Sequence, residues 1–441
     1  MRKINKKWQL LLYAASGMGV NLLNLMMGSY LCSAVLVGGF GEAAIKNQTF
    51  HQRDLVVAAV WSVFVLVAKI IDGIIDIPMA SFTDRLRTRW GRRRPSLVIG
   101  LIPMVAAYLL FLVVPNPGAA TLWNTIYYGV ILCIFYSFYT LTMVTYYATF
   151  TEIVDNEKDR NFLSNVKSVC DIIYFIIGYV AVSALLKGLH IQTVALIVLP
   201  IVCTMLIPLF MIKETKDSVG ATGDGETVNL FKSLAHTFKN RDFIIWMFVY
   251  SFMTFGVQLF LGGINEYFSY VGMSMIFVMI AAFLPVPLTL IIYNKLIAKK
   301  GFGFAFRYTL ILYTLGMFAM LAVSFLSGTA KTVLSVVCGL ICSLAVGALF
   351  AVAYSVPSQL AAEEEEKTGI SNSAMYFAVQ GLFSGVATGI GTGLVLTTLK
   401  QTEGAMTYLT AVAGLGTLVS FALTFILPKR LVKMGRESGD K

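Results

Sequence analysis

Lys69, Asp72 and Asp76 stand in an otherwise apolar stretch, KIIDGIIDIP, that follows directly on LVVAAVWSVFVLVA. On a helix, residues three and four apart share a face, so the two carboxylates lie about one turn from each other with the ammonium beside them. An ionisable side chain near the middle of a bilayer costs at least ~2.5 to 3.5 kcal/mol, so three on one stripe need a partner or a wet cavity. Carboxylate oxygens suit a hard cation such as sodium. They serve a proton equally once desolvation raises the affinity of one carboxylate for it. The stripe of Lys69, Asp72 and Asp76 therefore reads as a working site by default. The competing reading, a Lys69–Asp72 pair that only fixes helix packing, leaves Asp76 without a partner.

Other polar residues in apolar stretches are costly in the same way and must face something. The first stretch carries Asn21, Asn24 and Tyr30, and the fourth Tyr136, Tyr139, Thr140, Thr142, Thr145, Tyr146 and Tyr147. Lys167 and Asp171 stand four apart at the start of the fifth, able to pair along one face. The seventh ends in Asn265 and Glu266, with Glu266 expected at the outer interface where it stays wet. The eleventh carries Asn372, Tyr376, Gln380 and Ser384. Taken singly, such residues make interhelical hydrogen bonds worth ~1 kcal/mol or less. The density on the fourth stretch is of another order, and a wall of hydroxyls and rings is what a polar or ring-shaped ligand needs. His51 and His190 fall in external loops and His236 on the polar side of an amphipathic stretch, so no histidine is placed as a proton relay. The six cysteines show neither metal-ligand spacing nor a disulfide framework.

The elements that must hold these side chains are membrane helices. The chain has 441 residues, 57% hydrophobic and 13% charged, with mean hydropathy +0.77. Apolar runs long enough to cross ~30 Å of hydrocarbon recur along it. About twelve spans are expected, near 9 to 37, 55 to 81, 96 to 114, 122 to 150, 166 to 187, 192 to 212, 242 to 271, 274 to 298, 307 to 327, 332 to 356, 372 to 399 and 404 to 428. The net charge of +11 is no sign of a nucleic-acid partner, because Lys and Arg concentrate in the amino terminus and in every second loop. That positive-inside pattern puts both termini in the cytoplasm. MRKINKKW and its long apolar sequel read as an uncleaved first helix. The sequon Asn47-Gln48-Thr49 falls in an external loop.

The longest polar interruption divides the spans six and six. The expected organisation is a first bundle over 1–212, a central cytoplasmic loop over 213–241, a second bundle over 242–428 and a cytoplasmic tail over 429–441. Val228, Leu230, Phe231, Leu234 and Phe238 give the central loop a short amphipathic pattern suited to the membrane surface. A degenerate repeat links the halves: Asp84-Arg85 with Gly91 seven past the acid, and Asn294-Lys295 with Gly301 seven past the Asn, preceded by Pro78 and Pro287. The fold class is thus an all-α polytopic membrane protein of two six-helix bundles.

KIIDGIIDIP followed by DRLRTRWGRRRP, then Tyr267 to Gly272 (YFSYVG) and Glu366 to Gly369 (EKTG), resembles the glycoside-pentoside-hexuronide:cation symporters of the major facilitator superfamily. GRRRP is also similar to the corresponding loop of the related sucrose transporters. The resemblance implies that Asp72 and Asp76 are the paired aspartates that hold the coupling cation, with Lys69 at a basic position of the family. The family's sugar-contacting acid on the first helix falls near Gly19 to Asn21, where no carboxylate stands, and its acid on the fourth helix near Thr142. Its arginine on the fifth helix falls near Lys167, a lysine on the eleventh near Gly385, and Tyr146 stands where a ring stacks on the sugar. Most of the charged sugar clamp is therefore missing while the cation pair is kept.

The expected function is secondary active transport by alternating access: symport of a sugar, glycoside or hexuronide with sodium or a proton. The residues assigned to the cation are Asp72, Asp76, Lys69 and Thr142, and those assigned to substrate are Asn21, Tyr139, Thr142, Tyr146, Lys167, Asp171, Tyr376 and Gln380. The alternative is the same fold carrying a less polar lipid or steroid, which the absent clamp would suit. A cytoplasmic charge latch is expected from Asp84, Arg85, Arg92, Arg93 and Arg94 against Glu365 and Glu366. The alternative there is a basic loop that sets topology and a solvated acidic loop. With no nucleophile and base, no metal motif and no sizeable external domain, the chain is not expected to be an enzyme. No cofactor beyond the coupling ion is expected, nor any partner beyond lipid and a small-molecule substrate. The expected state is a monomer in a cell membrane, and the resemblance implies a bacterial inner membrane.

Overall fold

Apolar runs of about 20 residues satisfy their backbone groups in lipid only as helices. The computed structural model of the chain describes residues 4, 6–86, 88, 90–153, 157–212, 238, 240–368 and 373–435, and it is built of helices. The chain divides into two units, one comprising Met1–Val37 and Glu42–Thr227, the other Gly38–Gly41 and Val228–Lys441. The expected amphipathic stretch of the central loop lies outside the described residues, except Phe238, as do 1–3 and 436–441 of the termini.

The first unit contains α1 (Lys7–Ala34), the short α2 (Glu42–Gln48), α3 (Ala58–Ile74), α4 (Asp76–Arg85), α5 (Arg93–Phe111), α6 (Leu122–Ile153), α7 (Glu157–Ile176), α8 (Val182–Leu186) and α9 (Ile191–Met211). The second contains α10 (Arg241–Gly262), α11 (Ile264–Val271), α12 (Met275–Phe283), α13 (Val286–Lys300), α14 (Phe302–Ser324), α15 (Gly328–Thr368), α16 (Ser373–Gly389), α17 (Leu396–Gln401), α18 (Ala405–Ile426) and α19 (Lys429–Lys433). Ten of the described helices are long and apolar enough to cross a membrane, and eleven with α12 and α13 taken as one segment bent by 40°. The bend has a local cause, since Pro285 cannot donate to the helix ladder. The remaining expected segment, 55 to 81, is broken at Ile75 into α3 of 17 residues and α4 of 10, each too short to be counted by itself.

The break between α3 and α4 falls inside the aspartate stripe. Pro78 has no N–H to give the Ile74 carbonyl, and Gly73 weakens the turn before it. The ladder closes around the break through Ile75 N–H to Ile71 O (2.9 Å) and Met79 N–H to Ile75 O (3.0 Å). The repeat is visible in backbone conformation: Gly91 and Gly301 both sit at positive φ, +91° and +89°, just before α5 and α14. Each half also carries one π-turn opened by Ile-Gly, Ile177–Ala181 after α7 and Ile390–Val395 after α16.

Helices outrun the apolar windows at several ends. α7 starts at Glu157 rather than 166, and α15 runs to Thr368 rather than 356. The acidic run Glu363 to Glu366, which falls between the expected spans, is therefore helical. Hydropathy marks only the lipid crossing, while Ala, Glu and Lys continue a helix into water. On the opposite end of the first unit, Asn47 Nδ2 donates to the carbonyls of Leu186 (3.2 Å) and Lys187 (3.4 Å), and the Thr49 hydroxyl donates to Ile45 O and His51 O. The sequon is thus folded into the protein. The expected tail begins with α19, where Leu431 is buried and the Met434 carbonyl accepts from Phe302 N–H at 2.9 Å.

Candidate functional site

α6 organises the polar centre of the first unit because it meets α3, α5 and α1 along its length. Tyr136 and Thr140, four apart, face the second span. The Thr140 hydroxyl donates to Asp72 Oδ1 at 2.9 Å, and Lys69 Nζ sits 3.8 Å from the centroid of the Tyr136 ring. Lys69 and Asp72 thus meet α6 one turn apart, the cation on a ring face and the carboxylate on a hydroxyl. No Lys69–Asp72 ion pair forms among the described residues, whose ion pairs are Lys167–Asp171, Lys400–Glu266, Arg430–Asp242 and Arg430–Glu363. Asp72 is half-buried and Asp76, the first residue of α4, is exposed. Asp76 lies beyond the break, so the stripe is stepped rather than carried by one regular helix.

A second polar group stands one residue away on α6. Tyr139 Oη donates to Asn21 Oδ1 at 3.2 Å, and Asp171 stands beside the Asn21 side chain. Asp171 is paired with Lys167, whose ammonium lies 5.1 Å from the centroid of the Tyr147 ring. Side-chain exposures of 18% for Lys167 and 34% for Asp171 leave this group reachable. Asn21, Tyr139, Lys167 and Asp171, four residues from α1, α6 and α7, form one connected set. Consecutive positions on a helix point about 100° apart, so Thr140 reaches the second span while Tyr139 reaches the first.

Other expected residues are placed elsewhere. Thr142 is fully buried, with its hydroxyl on the Phe138 carbonyl at 2.8 Å and so close to Gly100 of α5 that a Cβ there would meet it at 2.4 Å. The hydroxyl that reaches the aspartate is Thr140, two positions earlier. Tyr146 is covered completely: its Oη donates to the carbonyls of Tyr13 (2.7 Å) and Ala14 (3.0 Å), and its ring stacks on Tyr13 at 5.6 Å. The exposed ring beside Lys167 is Tyr147. The dense hydroxyl and ring face of α6 signalled both Thr140 and Tyr147, but the register did not single them out.

In the second unit Tyr376 and Gln380 bind α16 to the start of α10. Asn240 Nδ2 donates to Tyr376 Oη at 2.8 Å, and Trp246 Nε1 donates to Gln380 Oε1 at 3.0 Å. Both side chains are buried, the interhelical role open to any single polar residue of a span. Asn372 lies outside the described residues, as do the side chains of Asp84, Arg85 and Glu365. Arg93 is buried, with Nη1 donating to Thr83 Oγ1 at 3.2 Å, and Arg94 Nε donates to the Leu209 carbonyl at 2.8 Å. Arg92 is half-buried and Glu366 exposed. Glu363 pairs with Arg430 at 2.7 Å within the second unit. Glu266 is buried completely against Lys400 at 3.0 Å, not wet at an interface as its position near a span end suggests.

A family model described as MFS/sugar transport protein matches residues 12–427. An uncharacterized symporter of Synechocystis sp. (strain ATCC 27184 / PCC 6803 / Kazusa) is 30% identical over 161 residues, which is 33% of this chain. The match spans 30% of that relative's length. Among solved structures, the nucleoside transporter NupG superposes with a TM-score of 0.59 at 14% identity, over 96% of this chain and 98% of that one. The xylose transporter XylE from E. coli, inward open, gives 0.57 at 13% identity, over 96% of this chain and 95% of that one. At such identities the likeness is one of fold, and the fold is that of the major facilitators.

Proposed function

The chain belongs to the MFS/sugar transport protein family, a family of transporters and not of enzymes, and from that premise we propose that it is a cation-coupled symporter of a sugar or glycoside working by alternating access. The observation that carries this reading is the adjacency of two unlike groups on α6. Thr140 serves Asp72 of the cation stripe, and Tyr139 belongs to the Asn21–Asp171–Lys167 set. Cation binding at Asp72 competes with the Thr140 hydroxyl for the carboxylate and so disturbs the same turn of α6 that carries Tyr139. A ligand on either side then biases the other, which is what coupling requires.

Asp72 and Asp76 with Lys69 sum to about one negative charge, so one sodium ion or proton neutralises the stripe. Asn21, Tyr139, Lys167 and Asp171 offer donors and acceptors to hydroxyl groups, and Tyr147 offers a ring face. The part-exposed ion pair favours a polar substrate over a lipid or steroid, which would leave these groups unsolvated. The resemblance to an uncharacterized symporter supports symport.

Uptake into proteoliposomes tests the reading, with a galactoside, a glucuronide, a pentoside and a sterol, an imposed sodium or proton gradient and Asp76→Asn as control. Gradient-dependent accumulation of a glycoside, abolished in the variant, is the expected result and names the ion. Movement of the sterol alone, or equal behaviour of wild type and variant, overturns it.

A further inference from the structure

The second unit buries an ion pair that the transport site does not use. Glu266 and Lys400 meet at 3.0 Å with side chains 0% and 3% exposed. Desolvated pairs of this kind stabilise little relative to apolar residues of the same size, so a purely structural role accounts poorly for one in a membrane bundle. The two charges suit their positions: Glu266 lies in the first turn of α11 and Lys400 in the last turn of α17, where the helix dipoles favour them. The pair is nevertheless incomplete, because Glu266 Oε2 and the neighbouring Asn265 Nδ2 are buried without a hydrogen-bond partner.

What covers the pair is the segment Gly38–Gly41, which belongs to this unit. Phe40 is buried and its ring centroid lies 4.9 Å from Lys400 Nζ. Its glycines are dictated by contact. A Cβ at Gly38 would meet the Lys400 carbonyl at 2.3 Å, and Gly39, at φ +83°, would put one 2.9 Å from Lys400 Cγ. Gly41 N–H donates to Ser269 Oγ at 3.3 Å, on α11 itself. Only a glycine-rich strap seats this closely on the lysine.

α11 is also bounded as a separate piece. It follows a break in the seventh span at Gly262–Gly263, where Gly263 leaves helical geometry at φ −103° and ψ 10°. Its far end stops at Gly272, at φ +66°. A short helix between two glycines, tied by the buried ion pair, the strap, the Tyr267 hydroxyl on the Met320 carbonyl (3.3 Å) and Lys331 on the Val271 carbonyl, has the anatomy of a hinged segment whose clasp lies at its Glu266 end.

We propose that α11 is a gate segment hinged at Gly262–Gly263 and clasped shut by the Glu266–Lys400 pair beneath the Gly38–Gly41 strap. Lifting Phe40 lets water reach the pair, the open Glu266 oxygen and Asn265 amide take it up, and α11 is released. Calling the segment a gate rests on the transporter reading, whereas the clasp itself is tested without any substrate.

Hydrogen exchange of the full-length protein in lipid nanodiscs reads the clasp. Phe40→Ala and Gly39→Ala leave both charges in place and are expected to raise exchange in 264–271 about tenfold or more, with the rest of the second unit unchanged. Glu266→Gln and Lys400→Met are expected to do the same, and the exchanged pair Glu266→Lys with Lys400→Glu to restore protection. Unchanged exchange in 264–271 for the strap variants overturns the clasp, and so does a rise spread evenly over the unit, which marks the pair as ordinary core. If a charge variant fails to fold, the two strap variants still decide. A positive exchange result with no transport of any panel substrate sinks the transporter reading and leaves the clasp standing.

Discussion

Thr140 carries the sharpest residue-level expectation. Its hydroxyl holds one oxygen of Asp72, and a hydrogen bond to a charged group is worth ~1.5 to 3 kcal/mol. Thr140→Val is therefore expected to shift the apparent affinity for the coupling cation by roughly tenfold or more, weaker for sodium, which uses the carboxylate the hydroxyl orients, and stronger for a proton, with which the hydroxyl competes. Thr142→Val, whose hydroxyl is spent on Phe138, should leave cation affinity where it was. Cation titrations of uptake by the two variants check this, and equal shifts sink the assignment. The charged stripe on the second span was legible in the sequence because charges in lipid are rare. The rotation of α6 was not, since that helix is apolar and polar on several faces at once. Nothing in its periodicity says whether 140 or 142 meets α3, and that depends on where Gly100 lets α5 come close. The same rotation decides between Tyr146 and Tyr147. Tyr147→Ala is expected to raise the substrate concentration for half-maximal uptake. Tyr146→Phe is expected to leave it unchanged and to lower thermal stability by about 1 kcal/mol per lost hydrogen bond.

Elements repeat their irregularities more faithfully than their sequence. Gly91 and Gly301 share a positive φ, and the breaks at Gly73 to Pro78 and at Pro285 fall at corresponding places, although the intervening residues differ. The repeat was legible because a turn that needs positive φ tolerates little but glycine. The helix ends were not legible, since the polar turns of α7 and α15 lie outside the apolar windows that define spans. Gly301→Ala is expected to destabilise the second unit by at least ~1 to 2 kcal/mol, the cost of placing a Cβ in the left-handed region. The added carbon would also stand 2.7 Å from the Val432 carbonyl, so the loss in thermal unfolding should exceed that of Gly328→Ala, which meets nothing. The cap of the first unit at its α2 end makes a pH-dependent prediction. His190 Nδ1 accepts from Gln192 N–H at the start of α9, and burial lowers its proton affinity against the opposing bond to the Thr49 carbonyl. The unfolded chain then takes up the proton first, so the cap's stability is complete above about pH 6.5 and is lost as pH falls below that value. Lys46, His51 and Arg53 line the same hollow and add only positive charge. Hydrogen exchange in 42–57 should rise on acidification, and His190→Asn, which keeps a capping acceptor without titrating, should abolish the change.

At the scale of the whole molecule, the proposed transport cycle would turn these local charges into a voltage dependence. Lys69, Asp72 and Asp76 sum to about one negative charge, and the Lys167–Asp171 pair sums to zero. A cycle that carries one cation with a neutral glycoside therefore moves one net charge, worth about 2.3 kcal/mol per 100 mV. That is roughly a 50-fold change in the accumulation ratio for a neutral substrate per 100 mV. A hexuronide carries its own negative charge, cancels that of the cation and accumulates independently of potential. Currents on a solid-supported membrane separate the cases: a galactoside should give an inward current and a glucuronide of the same size none. A current of equal size with both substrates means more than one cation per cycle, and the three-charge stripe is then not the whole coupling site. The overall charge of +11 has no part in this, because on the positive-inside pattern the cationic loops stay on one side of the membrane, and only the few charges within the spans can respond to the field across it.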